Sequence, residues 1–278
     1  MMKHTTASSY HTVQWNGLRA HQYPLLAGTT HAIFGRQGGV SPSPWRSLNM
    51  GHAVGDAPDN VRRNFERACA ALKIDPRRTV SCHLVHGNRV LTAEANGRGP
   101  QLLGRADALI TRQPGLVLTM RFADCVPLLF FDPVSRSVGL AHAGWRGVMQ
   151  NVMGAVVEAM QTRFGARPAD IRVVIGPSIG PCCYQVGDDV RQAARAAFRE
   201  ADSLFDHRPG GMYFDLWAAN VRQARAAGVR QVTVAGVCTA CHTGEFFSHR
   251  AEKGRTGRFG AFIGLPGTVH PTEGEQER

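Results

Sequence analysis

The sequence predicts one mixed α+β domain, and three observations carry that reading. Helical and strand segments interleave along the chain. Two of the strands, 108–111 and 116–120, are separated only by the stretch around Pro114-Gly115, a spacing that predicts an antiparallel hairpin rather than a doubly wound parallel sheet. No Ser/Pro-rich linker, low-complexity segment or roughly 20–50-residue repeat divides the chain. At 278 residues it is long enough to bury roughly three-quarters of its unfolded surface.

Taken in order, Asp56 and then Pro58 in the first turn open a helix with Val61, Phe65, Cys69 and Leu72 on one face. Short β-branched or apolar runs predict strands over 79–85, 108–111, 116–120 and 138–141. Val148, Val152, Val156 and Met160 repeat at helical spacing, so one helix is predicted over 145–164, closing before Gly165. A strand at 171–175 precedes a helix over 187–198. Asp215 then caps a helix over 216–227 that ends at Gly228, and a strand follows at 231–237. The domain is bounded at 14–265, with polar tails at 1–13 and 266–278 expected to be loose.

The longest apolar run, residues 126–131, contains Pro127 and is far short of the roughly 20 residues a bilayer span needs. Met1 to Tyr10 is polar and no apolar stretch of a secretory signal follows, so a cytoplasmic protein with no membrane partner is expected. The formal net charge is +11, but lysine occurs only at Lys3, Lys73 and Lys253, and the arginines are scattered. Without a basic run interleaved with aromatics, no nucleic-acid partner is expected, and an anionic small substrate fits better. The seven cysteines read as reduced and mostly buried, with Cys182-Cys183 as packing and Cys238/Cys241 as packing or a minor redox pair.

Three polar residues follow predicted strands: His86, Cys125 and His142. Two imidazoles and one thiolate form a zinc ligand set with a fourth position open. Their separations of 39 and 17 positions match no local zinc motif, so satisfied core residues remain the alternative on spacing alone. In AHAGWRG (141–147) a strand turns through Gly144 into a helix whose free N–H groups, with Arg146, could hold an anion, and Asp124 beside Cys125 is placed for proton transfer.

The ordered runs GRQGGVSPSPWRSLNMGHAVGD (35–56), LVHGNRV (84–90), ADALIT (106–111), ADCVPLLFFDP (123–133), AHAGWRG (141–147), IGPSIGPCCYQVG (175–187) and FFSHRAEKGRTGR (246–258) resemble one family. It is the laccase-domain proteins, also called the polyphenol oxidoreductase or purine nucleoside phosphorylase family, and the resemblance spans about residues 24 to 265. It implies a layered α/β/β/α sandwich and one catalytic Zn2+ held at His86, Cys125 and His142, with Cu2+ as a possible substitute. It also implies phosphorolysis of purine nucleosides (adenosine, inosine, guanosine, methylthioadenosine) and deamination of adenosine, by a monomer or homodimer. The catalytic set is then Cys125, Asp124, His86 and His142, with Arg36, Arg146, Arg250 and Arg258 as phosphate or leaving-group ligands. One departure weakens the 246–258 segment: Ala251-Glu252-Lys253 follows His249-Arg250 where the family often has a second arginine and an aspartate.

Competing functions are a copper-dependent polyphenol oxidoreductase, a hydrolase editing peptidoglycan precursors and a nonenzymatic binding module. A multicopper laccase is disfavoured because none of the 12 histidines forms a His-x-His pair. The C-x-x-C-H at 238–242 matches the haem-attachment pattern, which a chain without an export signal would not use.

Overall fold

The computed structural model describes residues 9–94 and 99–267. In chain order its strands are β1 (His11–Trp15), β2 (Leu18–Gln22), β3 (Thr30–Phe34), β4 (Thr79–His83), β5 (Val90–Thr92), β6 (Gln101–Arg105), β7 (Ala108–Thr111), β8 (Val117–Phe122), β9 (Val126–Asp132), β10 (Ser137–Ala143), β11 (Arg172–Ile175), β12 (Gln185–Val186), β13 (Phe205–Arg208), β14 (Gly211–Phe214), β15 (Gln231–Val234) and β16 (Phe259–Gly264). The α-helices are α1 (Pro58–Ala71), α2 (Trp145–Met149), α3 (Val152–Phe164), α4 (Asp188–Ala197) and α5 (Leu216–Ala226). A seven-stranded sheet runs β1-β2-β3-β16-β8-β4-β6, a six-stranded sheet runs β15-β11-β9-β10-β7-β5, and β12-β14-β13 form a small third sheet. Both large sheets mix parallel and antiparallel pairs, as in β11 with β15 and β9.

Strand alternation builds the layers. In β9, Leu129 and Phe131 point into the core shared by the two large sheets, against Leu118, Met120 and Ile263, while Leu128 and Phe130 face the helices. Val152, Val156 and Met160 of α3 cover that second face. On the far side Ala68 and Cys69 of α1 pack on Ala32, Phe34 and Phe262. The result is the α/β/β/α sandwich expected of the chain. Each of these fully buried large side chains contributes about 1.5–3 kcal/mol relative to exposure.

Several local expectations are corrected. β7 and β8 are not a hairpin: β7 pairs with β10 and β5, whereas β8 pairs with β16 and β4. Gly115 (φ +72°) turns the chain from one sheet into the other, so the short connection is an arch between layers. The helix expected over 145–164 is two helices, because Asn151 adopts φ +57° and its side chain accepts from Gly154 N–H, capping α3 afresh. The apolar spacing continues through this break, which is why periodicity missed it. The apolar run at 126–131 is the central strand β9, and Pro127 is tolerated because its nitrogen faces the side where β11 has just ended at Ile175. β1 begins at His11, inside the stretch expected as tail; of the expected tails, residues 1–8 and 268–278 lie outside the described residues. No helix among the described residues is long and apolar enough to cross a membrane.

Candidate metal centre and substrate cleft

The two sheets bring His86, Cys125 and His142 together at one end of the sandwich. His86 sits in the loop after β4, Cys125 in the crossover from β8 to β9, and His142 near the end of β10, in register with Pro127. In β10, Val138 and Leu140 face the inter-sheet core, so alternation points His142 there too, against Phe122. One donor atom from each of His86, Cys125 and His142 lies within 4.8 Å of the other two, and the imidazole centroids are 4.8 Å apart. His142 is buried, Cys125 half-buried and His86 exposed, so the cluster opens to solvent on one side.

Asp107, which the sequence reading missed as a site residue, orders this cluster. It is fully buried, and His142 Nδ1 donates to its Oδ1 at 3.0 Å. That contact leaves Nε2 as the free donor of His142. The same carboxylate accepts the backbone N–H groups of His86 (2.9 Å), Gly87 (2.7 Å) and Val85 (3.2 Å). One side chain thus fixes one imidazole directly and the loop carrying the other. Burial alone would raise the Asp107 carboxyl, but the His142 and backbone hydrogen bonds hold it below the ordinary carboxylate value. Only ADALIT in the sequence hinted at it, as a motif with no assigned role.

Electrostatics separates charge within the cluster. Burial would raise the Cys125 thiol, yet the charge of His142 and hydrogen bonds from both imidazoles bring it down to about 6. Burial would lower His142, yet the Cys125 thiolate and Asp107 carry it up to about 9. Without a cation the cluster therefore rests as thiolate and imidazolium, and a metal would take the place of that proton. Gly144 leaves the room required: a Cβ there would stand 2.9 Å from His86 Nδ1 and 3.1 Å from Cys125 Sγ. The N₂S donor set, the open side and this side-chain-free wall fit a single divalent ion with a free coordination position.

His86 (φ +59°) and Asp124 (φ +84°) both hold left-handed backbone conformations uncommon for non-glycine residues, and both flank the cluster. Asp124 turns the crossover between sheets. Its Oδ1 accepts from Thr239 Oγ1 at 2.7 Å and its Oδ2 from Arg250 N–H at 2.6 Å, so it also anchors the 246–258 segment.

The predicted arginines divide. Arg250 reaches Gln185 O through Nη1 (2.7 Å) and lies over the Tyr184 ring at 5.4 Å. It lines, with Trp145, Tyr184 and Gln185, a cleft of about 470 Å³, within the range of small-ligand sites. Arg146 is exposed and stacks on Trp145 at 4.3 Å. Tyr184, also missed in the sequence reading, is pushed up mainly by burial. The cleft lies beside the cluster because its Trp145 follows directly on Gly144, where a Cβ would abut His86 Nδ1 and Cys125 Sγ. Arg258 is pulled down by burial and feels Cys125 and Asp124. Arg36 differs, because its Nε and Nη1 are spent on Arg46 O, Thr243 O and Glu252, and its guanidinium covers Phe247. Glu252, the displaced carboxylate of the motif, also accepts from Ser248 N–H and Thr256 Oγ1, so the 36–252 pair braces the segment from behind. A larger cleft of about 660 Å³ lies among Gln150, Glu158, Arg199 and Arg222 and includes none of the three cluster residues.

The cysteine expectation needs correction. Cys182 and Cys241 are exposed, so packing does not account for them, whereas Cys183 packs against the core and Cys238 lies within it; together the four form a second group of thiols. Neither group among the described residues assembles the histidines of a multicopper centre.

Comparison with known proteins matches residues 30–266 to the family model described as multi-copper polyphenol oxidoreductase laccase. The purine nucleoside phosphorylase YlmD of Geobacillus stearothermophilus is 41% identical over 251 residues, covering 87% of this chain and 92% of that protein. The purine nucleoside phosphorylase YlmD of Bacillus subtilis is 35% identical, covering 94% and 96%. The crystal structure of YlmD from Geobacillus stearothermophilus superposes with a TM-score of 0.88 at 38% identity, over 94% of this chain and 100% of that one.

Proposed function

The chain belongs to the multi-copper polyphenol oxidoreductase laccase family, and from that premise we propose that it is a metal-dependent purine nucleoside phosphorylase. Adenosine, inosine, guanosine or methylthioadenosine reacts with inorganic phosphate to give free base and pentose 1-phosphate, and adenosine is also deaminated. The observation that carries this reading is the open His86, Cys125 and His142 cluster beside a cleft walled by aromatic rings and Arg250. Zn2+ is the ion proposed, and Cu2+ can replace it because divalent copper generally binds N/S donors more tightly. A bound ion supplies Lewis-acid polarisation and, for deamination, activation of water.

The chain's own groups do the rest. Trp145 and Tyr184 offer flat apolar surface to a purine. Arg146, Arg250 and Arg258 hold phosphate against the anomeric carbon and offset the negative charge that collects on the base. A phosphate oxygen bonds to that carbon as the N-glycosidic bond breaks, and the leaving base takes a proton. Asp124 is the proposed proton shuttle, since each of its oxygens keeps a lone pair beyond the Thr239 and Arg250 contacts. Arg36 acts by bracing the 246–258 segment rather than by touching substrate.

The test incubates zinc-loaded protein with adenosine, with and without phosphate, and separates the products. Adenine and ribose 1-phosphate formed only with phosphate support phosphorolysis, and inosine supports deamination. Neither product from a fully metallated protein refutes the nucleoside assignment, and oxidation of polyphenols by the copper-loaded form alone would favour the oxidoreductase alternative.

A further inference from the structure

A second group of metal-capable side chains lies away from the cluster already described. Cys182 and Cys183 belong to the loop between β11 and β12, and Cys238 and Cys241 to the loop after β15. Their four Sγ atoms lie within 4.8 Å of one another, with Cys241 Sγ at 3.5 Å from Cys182 and 3.3 Å from Cys183. A disulfide would bring two sulfurs to about 2.05 Å. Four sulfurs placed tetrahedrally at about 2.3 Å from one ion stand about 3.8 Å apart, and the observed spread brackets that value. An iron–sulfur cluster would interpose several atoms and hold its thiolates farther apart than this.

Backbone geometry prepares the same site. Gly180 N–H donates to Cys238 Sγ at 3.2 Å, a contact that supports a thiolate at the first position of the C-x₂-C turn. Cys183 N–H and Tyr184 N–H both donate to Gly180 O, closing the facing turn. A bridge between Ser178 and Cys238 fixes the two loops side by side. A C-x₂-C pair facing two further cysteines is the ligand set of a closed structural site, with no coordination position left for substrate.

We propose that Cys182, Cys183, Cys238 and Cys241 form a second metal site that binds one Zn2+ in an all-thiolate tetrahedron. Binding displaces the thiol protons and involves no redox step. Its place in the fold gives it a consequence for the cleft. Thr239, inside the C-x₂-C turn, donates to Asp124, and Tyr184, next to Cys183, walls the cleft with Gln185, whose carbonyl holds Arg250. The ion ties together the two loops that position these groups.

The test is metal stoichiometry after reconstitution with excess Zn2+ under reducing conditions and desalting. Wild type should retain two zinc ions per chain, the Cys183→Ser/Cys241→Ser variant one, and the Cys125→Ser variant one. Cobalt in place of zinc should give strong thiolate-to-metal charge-transfer absorption that survives Cys125→Ser and disappears in the double variant. A fold-independent arm uses wild type alone: exposed Cys182 and Cys241 should resist alkylation when metallated and react after chelation. One zinc per chain, unchanged in the double variant, overturns the proposal, as does equal alkylation of Cys182 and Cys241 before and after chelation. Because the triad variant is counted separately, failure here leaves the phosphorolysis reading standing.

Discussion

Replacing Asp107 by asparagine exchanges one carboxylate oxygen for an NH2 group at a site where every neighbour is a donor. Oδ1 accepts from His142 Nδ1 and His86 N–H, and Oδ2 from Gly87 and Val85 N–H. With the amide oxygen toward Gly87 and Val85, the NH2 group meets His142 and drives its proton to Nε2, the atom needed as ligand. With the amide reversed, two backbone donors lose their acceptor at about 1–3 kcal/mol each, and the loop that carries His86 loosens. Loss of such an outer partner typically costs 10–100-fold in metal affinity, about 1.4–2.7 kcal/mol. Competition against a chromophoric chelator measures the affinity, and thermal unfolding of the metal-free protein measures the loop cost separately. An Asp107→Asn protein that binds zinc at the triad as tightly as wild type refutes the assignment of Asp107 as the orienting carboxylate.

Gly144→Ala should fold, because φ −74° and ψ 168° suit any residue, but its methyl group crowds His86 Nδ1 and Cys125 Sγ. Metal titration should show weakened binding with the unfolding temperature of the metal-free form little changed. His31 is lowered to about 4, chiefly by burial, and accepts from Tyr23 N–H as a neutral ring. Its folded value lies below the unfolded one, so stability is intact above about pH 6.5 and falls as pH drops toward 4, by about 3 kcal/mol in total at 1.36 kcal/mol per unit. Urea unfolding across that range checks it, and the part of the loss due to this ring should vanish in His31→Gln. Arg250→Gln should leave metal content unchanged and lower kcat/KM roughly 10–150-fold, the size of a lost charged hydrogen bond; unchanged steady-state kinetics would remove Arg250 from the substrate cleft.

The helices were legible because a period of 3.6 reports burial directly, with Val61, Phe65 and Cys69 along α1 and Val152, Val156 and Met160 along α3, whereas their layering about two sheets came from the family resemblance. Breaks inside a pattern were not. Asn151 interrupts the backbone without interrupting the apolar spacing, and the Gly115 arch has the length of a hairpin while joining different sheets. The metal triad could be proposed because His86, Cys125 and His142 each follow a recognisable strand. Asp107 could not, since a carboxylate at the start of an apolar strand shows its function only through its four donors. The four-cysteine group was hidden for the same reason: two loops about 55 residues apart in sequence meet because β11 and β15, which they follow, pair in parallel, and the Ser178–Cys238 bridge extends that pairing.

Phosphorus NMR of zinc-loaded protein supplied with adenosine and inorganic phosphate tests the central claim most directly. Wild type should convert the phosphate resonance to that of ribose 1-phosphate, and Cys125→Ser, which loses one of the bound ions, should not. A fully metallated wild type that leaves the phosphate resonance unchanged, or a Cys125→Ser protein that turns over as fast as wild type, would contradict phosphorolysis at the His86, Cys125 and His142 centre.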